Sequence, residues 1–370
     1  MKKSADQICR IVNFQRLSPT HLVPQKEGLE WQAQRACQHR DPQEHEKIRE
    51  RFRRFGVAET KIAQRWTEIP DFDTSTPRDE HFFPLDAPPA NLQARMNLYK
   101  DKVTDAFHRF YQDSTRIPEH LIHVTCTGYV APSPAQILVN ERSWPTQTLN
   151  AYHMGCYAAF PALRMAEAFV KEHLGKQVDI VHTELCTLHM NPFSSDPEQI
   201  VISTLFGDGY IKYSVCSVEN SRGKGFTLLA LKERIIKNSA HMMTWVPGAN
   251  GFEMTLSREV PLTIRDHIRA YVSDLCQDAG ISLSHLLKHG LFAIHPGGPK
   301  IIELVQKQLE LSNEQVASSQ KILKEHGNMS SATLPHVWED LLRTDLEEGT
   351  PVLSVAFGPG LTVYGGLFQV

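Results

Sequence analysis

A repeated order of short apolar strand, turn and helix is the feature that most constrains how this chain can fold. In the first half, residues 122–127 and 148–153 have the composition of buried strands, and an amphipathic helix begins just after Cys156. In the second half, a strand over residues 291–295 is followed by a turn and by a helix over 299–311. Regular alternation of strands and helices predicts an α/β fold. Two such rounds are also compatible with a diverged duplication of one half.

Further elements extend the same scheme. Polar and proline-rich sequence predicts a loop over residues 70–90, and Gly175 is predicted to end the helix after Cys156 at about residue 173. At 370 residues the chain is long enough for two domains with substantial cores. The remaining predicted elements are helices over 44–55, 91–111, 264–277 and from Ser312 onward, and strands over 178–183 and 352–357.

Charge and cysteine usage exclude several classes of protein. The net charge of −3 supplies no global field that would attract nucleic acid or a membrane. Seven scattered cysteines, an odd number, do not form a disulfide framework and predict a reducing compartment. The first residues lack the apolar segment of a signal peptide, and no stretch approaches the roughly 20 apolar residues of a membrane span. We therefore expect a cytoplasmic, unprocessed protein with no nucleic-acid or membrane partner.

Three polar clusters lie in otherwise apolar sequence and contain the residue types of nucleophilic catalysis. Cys156 precedes a predicted helix, His295 ends a predicted strand before Pro-Gly-Gly-Pro, and Asn328 lies in Gly-Asn-Met-Ser-Ser-Ala. A neighbouring imidazolium and a helix N-terminus both lower the pKa of a thiol from its usual value of about 8.5. A thiolate with a histidine base and an amide that stabilises an oxyanion is the expected combination. It predicts that Cys156 carries acyl groups.

Each of these residues also has a purely structural interpretation, and their order does not by itself identify the reaction. An inert buried cysteine, a core histidine and a helix N-cap asparagine are the alternatives. Papain-like peptidases use the same order, and the 139 positions from Cys156 to His295 suit them as well. Their Cys-Gly-Ser-Cys-Trp type of signature, a mature N-terminus just upstream of the nucleophile and a secretory context are missing.

Two weaker patterns have less specific meanings. His182, Cys186 and His189 contain metal-ligating atoms, but no further ligand group of recognisable spacing follows, so no metal is expected. Residues 358–360 read Gly-Pro-Gly and open no helix. They predict a tight turn against a cavity and not a nucleotide-binding loop.

An amphipathic helix over residues 44–55 has a basic outer face. Ile48, Phe52 and Phe55 recur at helical spacing and form its apolar face. The basic side chains are either solvated or bind the phosphates of a ligand. Those available for phosphate binding, in the helix and just after it, are Arg51, Arg53, Arg54, Lys61 and Arg65.

Five motifs follow one another along the chain. They are Gly155-Cys156, residues 206–209 (Phe-Gly-Asp-Gly), 295–299 (His-Pro-Gly-Gly-Pro), 327–332 (Gly-Asn-Met-Ser-Ser-Ala) and 357–362 (Phe-Gly-Pro-Gly-Leu-Thr). In order and spacing, from about Glu44 to the C-terminus, they resemble the motifs of type III polyketide synthases, the chalcone synthase family. The resemblance implies a thiolase-like, duplicated αβαβα layered fold, with halves over residues 1–230 and 231–370. It also implies a homodimer that needs no metal or redox cofactor.

The resemblance implies a role for each motif. Cys156 is similar to the acyl-bearing nucleophile, His295 to its base and oxyanion donor, and Asn328 to the second oxyanion donor. Phe206 is similar to the phenylalanine that gates the coenzyme A tunnel, and Met254 occupies the second, usually aromatic, gate position. The implied cavity residues are Cys126, Ala131, Cys186, His189 and Ser330, and the basic residues expected to contact coenzyme A are Arg51, Arg54, Lys61 and Arg65.

Departures from the plant enzymes point to a bacterial-type member. Cys126, Cys186 and His189 stand where plant chalcone synthases have cavity threonines. Ala131 stands where a methionine reaches from one subunit into the cavity of its partner. Phe160-Pro161 replaces small residues after the nucleophile.

The implied activity is a decarboxylative Claisen condensation. Cys156 would accept an acyl starter from a coenzyme A or carrier-protein thioester and condense it with units derived from malonyl-coenzyme A. The expected product is an α-pyrone or a resorcinol-type ring. Two alternatives stay open: a ketosynthase of the same fold that joins two preformed acyl chains into a pyrone, and a thiolase-fold binding protein without turnover.

Overall fold

The structure is a computed structural model that describes residues 8–38, 40–72, 77, 81–84, 88–172 and 176–370. The N-terminal segment 1–7, part of the predicted loop over 70–90 and the predicted helix end at residues 173–175 lie outside the described residues.

Within these residues the chain forms thirteen strands and eleven α-helices. The strands are β1 (Cys9–Leu17), β2 (His21–Pro24), β3 (Gln64–Thr67), β4 (His120–Thr125), β5 (Gln147–Tyr152), β6 (Val178–Leu185), β7 (Asp208–Ser217), β8 (Phe226–Ile235), β9 (Met243–Gly248), β10 (Gly251–Leu256), β11 (Leu291–Ile294), β12 (Pro351–Gly358) and β13 (Thr362–Gln369). The helices are α1 (Gln25–Cys37), α2 (Pro42–Phe55), α3 (Leu92–Phe110), α4 (Pro134–Glu141), α5 (Ala159–Glu172), α6 (Pro197–Leu205), α7 (Val260–Ala279), α8 (Leu283–His289), α9 (Pro299–Leu309), α10 (Asn313–His326) and α11 (Thr333–Leu342). Short 3₁₀ helices span Pro70–Phe72, Cys186–His189, Val218–Asn220 and Ser330–Ala332.

Nine of the described strands pair into one mixed sheet with the order β11-β12-β13-β8-β1-β7-β6-β4-β5. Outward from β1, the strands β7, β6 and β4 pair antiparallel, antiparallel and parallel. Outward from β8, the strands β13, β12 and β11 repeat these directions. The two sets meet where Arg10 and Ile11 of β1 pair with Thr227 and Phe226 of β8.

The repeated strand directions are the pattern that a duplicated half would produce. The boundary expected between residues 230 and 231 falls inside β8. The division into two halves remains a prediction.

Helices cover both faces of the sheet, and two of them, α5 and α11, pack against strands of both sets. The buried faces of α5 and α11 pack with residues from strands of both sets in one core cluster, which includes Phe160 and Trp338. A second cluster joins α7, α8 and α9 to the strands around β12, and a third joins α3 and α4 to the strands around β4. The result is the thiolase-like layered α/β fold, with α5 and α11 in the central helical layer.

Local sequence accounts for the boundaries of these elements. Strands β4, β6, β7 and β12 are buried at every position, as expected for strands covered on both faces. Helix α10 begins with the predicted cap, in which Ser312 and Gln315 form a capping box. Helix α7 ends at Gly280, whose φ of 70° is the left-handed conformation that favours glycine. No helix in the described ranges combines the length and apolarity needed to cross a membrane.

Candidate active site

Cys156 lies in a sharp turn between β5 and α5, three residues before the helix begins. Gly155 adopts a φ of 79°, and a Cβ there would come within 2.7 Å of Pro359 Cδ. A Cβ on Gly358 would come within 2.6 Å of Tyr157. Only glycine allows the nucleophile turn and the turn after β12 to approach this closely. The predicted tight turn over 358–360 therefore packs directly against Cys156, and Pro359 lines the cavity beside it.

Asn328 and Phe206 are joined through their backbones. The Asn328 N–H donates to Leu205 O at 3.0 Å, and the Gly207 N–H donates to Asn328 O at 3.0 Å. The Asn328 Oδ1 accepts hydrogen bonds from the Ser330 N–H at 2.8 Å and from Thr333 Oγ1 at 3.3 Å. With its oxygen occupied, the Asn328 amide presents its N–H groups, and it hydrogen-bonds to Cys156. The predicted gate and the predicted oxyanion donor are thus parts of one unit.

Ser330 connects the predicted nucleophile to a second thiol. The Cys156 Sγ lies 3.7 Å from Ser330 Oγ, and Ser330 Oγ lies 2.9 Å from Cys126 Sγ. Ser330 itself has a positive φ of 47°, which turns the chain directly after Asn328 and Met329. The three side chains form a continuous polar wall at one end of the cavity.

His295 follows the last residue of β11 and is buried. The backbone N–H of His295 donates to Val355 O of the neighbouring β12 at 2.8 Å. Among the described residues, neither Nδ1 nor Nε2 of its ring has a hydrogen-bond partner, so the ring does not bond to Cys156. β12 runs parallel to β11 and ends at the turn that contacts Cys156. The fold thus brings His295 to the same end of the sheet as the thiol, with both ring nitrogens buried and without a hydrogen-bond partner among the described residues.

A cavity of about 460 Å³ opens next to Cys156. Its apolar surface comes from aromatic and aliphatic side chains such as Phe83, Phe193, Ile202 and Phe252. This volume suits a small organic ligand. The implied gate and cavity residues that line it are Cys126, Cys186, His189, Phe206, Met254 and Ser330. Ala131 is exposed and does not line the cavity of its own chain.

A buried carboxylate underlies the catalytic end of the cavity. Glu184 of β6 accepts hydrogen bonds from the Cys126 N–H at 3.1 Å, from Thr127 Oγ1 at 2.9 Å and from the Ser331 hydroxyl. Cys126 Sγ also approaches it at 3.5 Å. Burial raises the pKa of Glu184 above its usual range, and these hydrogen bonds oppose that shift. The sequence analysis missed this residue, although an acid directly after the strand predicted over 178–183 was an available signal.

Comparisons with known proteins agree with this geometry. The family description "Chalcone and stilbene synthases, N-terminal domain" matches residues 5–217, and "Chalcone and stilbene synthases, C-terminal domain" matches residues 228–370. The chain belongs to the chalcone and stilbene synthase family.

A curated relative and two solved structures support the same conclusion. The alpha-pyrone synthesis polyketide synthase-like Pks18 of Mycobacterium tuberculosis is 30% identical over 310 residues, covering 80% of this chain and 77% of the relative. The C-terminal type III polyketide synthase domain of Steely1 from Dictyostelium superposes with a TM-score of 0.83 at 22% identity, covering 98% of this chain and 99% of that domain. The 1,3,6,8-tetrahydroxynaphthalene synthase from Streptomyces coelicolor superposes with a TM-score of 0.80 at 24% identity, covering 97% and 99%. The protein is a type III polyketide synthase, an acyltransferase.

Burial reverses the expected protonation states of this synthase site. Burial raises the pKa of the Cys156 thiol to about 12, while hydrogen bonds from Ser330 and Asn328 lower it and the charge of Glu184 raises it. Burial also lowers the pKa of His295 to about 3. The expectation of a thiol pKa lowered by an imidazolium is therefore wrong. At neutral pH these pKa values correspond to a neutral thiol at Cys156 and a neutral imidazole at His295.

The basic residues separate into two groups. Arg51, Arg54 and Lys61 are exposed, with Arg51 Nη1 3.4 Å from Ser195 Oγ just before α6 and Lys61 paired to Glu303 at 2.7 Å. Helix α6 lines the cavity, so Arg51 lies near one of its walls.

Arg65 does not belong with the exposed residues. Its Nη1 donates to Phe206 O at 2.5 Å and to Ser203 O at 2.8 Å, and its Nε donates to Gln25 Oε1 at 2.8 Å. The side chain is buried, and burial lowers its pKa to about 10. The expectation that Arg65 contacts coenzyme A is wrong, because its guanidinium is committed to the backbone of the gate.

The histidines of the weak metal pattern already have partners in the protein. His182 bonds to Ser331 Oγ at 3.0 Å and to Tyr213 OH at 3.1 Å. His189 bonds to Thr127 O at 2.7 Å and accepts from the Phe252 N–H at 3.0 Å. The described ranges contain no group of three or more histidine, cysteine, aspartate or glutamate side chains that could hold a metal ion.

Proposed function

We propose that the protein loads an acyl starter onto Cys156 and extends it with malonyl-coenzyme A-derived units, giving an α-pyrone or resorcinol-type product. The main support is that a cavity-lining thiol lies at the same end of the fold as two possible donors of different kinds. Asn328 has its oxygen occupied and presents its N–H groups toward Cys156, and His295 has two ring nitrogens without partners among the described residues. The name of the relative Pks18 refers to α-pyrone synthesis, which favours the pyrone among the possible products.

In the loading step, sulfur attacks the thioester carbonyl of the incoming starter. Because the resting thiol has a raised pKa, its proton must leave as the sulfur–carbon bond forms. The neutral His295 imidazole accepts that proton and returns it to the departing coenzyme A sulfur. The new bond is the Cys156 thioester, and the broken bond is the carbon–sulfur bond of the starter thioester.

In the extension step, malonyl-coenzyme A loses carbon dioxide. The electron pair of the broken carbon–carbon bond forms an enolate on the thioester oxygen, which His295 Nε2–H and Asn328 Nδ2–H stabilise. Each well-placed donor lowers such a barrier by roughly 3 kcal/mol. The enolate carbon then attacks the Cys156 thioester carbonyl, and the Cys156 thiolate leaves. A neutral histidine suits this step because it can donate a proton in a hydrogen bond at neutral pH.

The starter reaches Cys156 between Phe206 and Met254. We propose that exposed Arg51, Arg54 and Lys61 bind the coenzyme A phosphates. His189 is larger than the threonine it stands for and narrows the cavity, while Cys186 replaces a hydroxyl by a less polar thiol of similar size. Met254 makes the gate more adaptable than two aromatic rings would. These features favour a fatty or β-ketoacyl starter over a rigid aromatic one.

We also propose a homodimer. Ala131 and the 61% exposed Tyr129 lie on one exposed segment after β4. A partner subunit would cover this segment and place Ala131 near the partner's cavity. Size-exclusion chromatography with light scattering is expected to give a mass close to twice 41.9 kDa, and a monomer at micromolar concentration would contradict the dimer.

Carbon dioxide release tests the proposed reaction directly. The protein is incubated with a panel of acyl-coenzyme A starters and malonyl-coenzyme A labelled at its free carboxyl, and products are identified by mass spectrometry. We expect labelled carbon dioxide and a pyrone or resorcinol, with both lost in Cys156→Ala. Product formation without carbon dioxide release would instead support the joining of two preformed acyl chains. No acylation of Cys156 by any starter would support a binding protein without turnover.

A further inference from the structure

One buried charge in the cavity wall takes no part in the reaction described above. Arg95, on α3, is 2% exposed and lines the same cavity as Cys156. Within the described residues it forms no ion pair with an aspartate or glutamate. Burial of an unpaired charge is costly, because a low-dielectric interior replaces the water around it. A cation in this position needs an explanation.

Part of the Arg95 guanidinium is occupied by backbone and by an aromatic ring. Nε donates to Ala90 O at 2.8 Å, and Nη1 donates to Leu188 O. The group also lies over the Phe83 ring, 5.1 Å from its centroid. These contacts fix the side chain in one orientation and offset part of its desolvation. They are neutral partners, so the positive charge is not neutralised.

The remaining nitrogen, Nη2, makes no hydrogen bond within the part of the chain that the structure describes. It is also not among the fully shielded polar atoms that lack a partner. Since Arg95 is otherwise buried and lines the cavity, the cavity is the space available to Nη2. Burial lowers the pKa of Arg95 only to about 10, so the group is cationic at neutral pH.

The wall between Arg95 and the nucleophile is continuous. A Cβ on Gly251 would lie 3.3 Å from Arg95 Nη1 and 3.5 Å from His189 Nδ1, so these two side chains are close neighbours. His189 Nε2 bonds to Thr127 O, next to Cys126, which reaches Ser330 and Cys156. A chain attached to Cys156 can therefore run along this wall with its far end at Arg95.

The acids along this path form no ion pair with Arg95 in the part of the chain that the structure describes. Asp71 acts on the guanidinium only through its field, since its two oxygens accept the Phe82 N–H at 2.7 Å and the Phe83 N–H at 2.9 Å. Glu253 lines the cavity on an exposed position of β10. Glu184 lies at the catalytic end with its own donors.

We propose that Arg95 is a subsite for a carboxylate at the far end of the starter acyl chain, so that the preferred starter class is the mono-thioester of a dicarboxylic acid. The proposal rests on the proposed function, since it assumes that starters load onto Cys156. A carboxylate would form a charge-assisted hydrogen bond with Nη2 in a largely apolar environment and would neutralise the buried charge. A terminal methyl group would leave the cation unpaired.

The test compares starters of matched length that differ only at the far end. Coenzyme A thioesters of four to ten carbons, ending in methyl or in carboxylate, compete for loading onto the wild-type protein. Intact-protein mass spectrometry measures the acyl group on Cys156. A charge-assisted hydrogen bond corresponds to a preference of about 10- to 100-fold for the carboxylate at the best length. Equal loading, or faster loading of the methyl series at every length, would overturn the proposal.

Variants of Arg95 then distinguish a role in ligand binding from a purely structural role. Arg95→Met is expected to lower the carboxylate-to-methyl loading ratio at least tenfold, and Arg95→Lys to retain part of it. The matched control is Arg35→Met, which removes another buried arginine, 7% exposed and lying over the Trp31 ring, that does not line the cavity. It is expected to leave the ratio unchanged. A ratio that Arg95→Met leaves unchanged would assign Arg95 to structure alone.

Different results would reject the proposed function and the carboxylate subsite. Absence of Cys156 acylation by either series contradicts the proposed function. Acylation and carbon dioxide release with methyl-terminated starters only would retain the function and reject the carboxylate subsite. If Arg95→Met does not fold, the wild-type competition still decides the question.

Discussion

The two buried polar groups at the ends of β6 and β11 differ in how well the protein satisfies them. Glu184, in β6, accepts hydrogen bonds from the Cys126 N–H, Thr127 Oγ1 and Ser331 Oγ. His295, just after β11, has no partner for either ring nitrogen among the described residues. A satisfied buried group holds its neighbours in place, whereas an unsatisfied one costs folding free energy unless a ligand completes it. The first set of strands thus contains a buried group whose hydrogen bonds are made within the protein, and the second precedes a buried group whose hydrogen bonds are not. The second is the one that we propose acts as a donor to substrate.

The largest effect is expected when the His295 ring, which has no hydrogen-bond partner among the described residues, is removed. His295→Ala is expected to lower product formation by about 1,000-fold, because both proton transfer and oxyanion stabilisation are lost. Its effect on stability should be small, because no hydrogen bond in the protein is broken. Carbon dioxide release and thermal unfolding are measured on the same preparation.

The control for His295 is a buried histidine with two partners. His182→Ala leaves Ser331 Oγ and Tyr213 OH without the ring they contact, and it is expected to lower the free energy of unfolding by about 1–3 kcal/mol. A larger loss of stability for His295→Ala than for His182→Ala would contradict the assignment of His295 as the unsatisfied group.

The next effect concerns the two oxyanion donors. Asn328→Ala is expected to reduce malonyl decarboxylation by about 100-fold, because one of two donors is removed. Loading of Cys156 should change much less, since His295 performs the proton transfer in that step. Labelled carbon dioxide reports decarboxylation and intact-protein mass spectrometry reports loading. Equal losses in the two assays would rule out a specific role in extension.

The buried Glu184, whose hydrogen bonds are made within the protein, is tested through the pH dependence of stability. Burial raises the pKa of Glu184 above its ordinary value of 4.5, so the folded protein binds its proton more tightly than the unfolded chain does. The stability that this proton contributes is fully present below the unfolded pKa, and it is lost as pH rises from about 4.5 through the folded pKa. The difference in unfolding free energy between wild type and Glu184→Gln should therefore fall across that window. A difference that rises with pH would reverse the assignment.

Some features around Glu184, Cys156 and His295 could be predicted from the sequence, and others could not. The strand that ends before His295 and the turn at Cys156 were predictable, because apolar runs bounded by glycine and proline are local signals. Glu184 was missed because its donors come from residues far along the chain, Ser331 among them. The raised pKa of Cys156 was missed because burial is a property of the folded cavity and not of the helix that follows.

The basic residues also show that the sequence did not reveal which side chains are buried. Arg54 and Arg65 looked alike in the sequence, since both belong to the basic residues within and just after the predicted amphipathic helix over 44–55. Arg54 is exposed on α2, while Arg65 points inward from β3 because alternate residues of this strand are buried. Two predictions with smaller effects follow from this difference.

Arg65 donates two hydrogen bonds from Nη1, to Ser203 O and to Phe206 O of the proposed gate. Arg65→Met is expected to loosen the Phe206 backbone and to change the relative loading rates across a chain-length series by about three- to tenfold, as Phe206→Ala would. Arg65→Lys should restore part of the wild-type order because it keeps one donor and the charge. A uniform decrease across the series in Arg65→Met, with an altered order in Phe206→Ala, would separate Arg65 from the gate.

The smallest effect belongs to the exposed face of α2. Arg54→Ala is expected to raise the KM for acyl-coenzyme A by about two- to fivefold, because a solvent-exposed cation contributes at most about 1 kcal/mol to phosphate binding. Added salt should shrink this difference, since screening weakens the wild-type contact. Arg53 on the same helix pairs with Glu46 at 2.8 Å and is the matched control. If Arg53→Ala raised KM as much as Arg54→Ala, the helix would act through its overall charge and not through a phosphate contact, and the difference between exposed and buried arginines would concern only the gate.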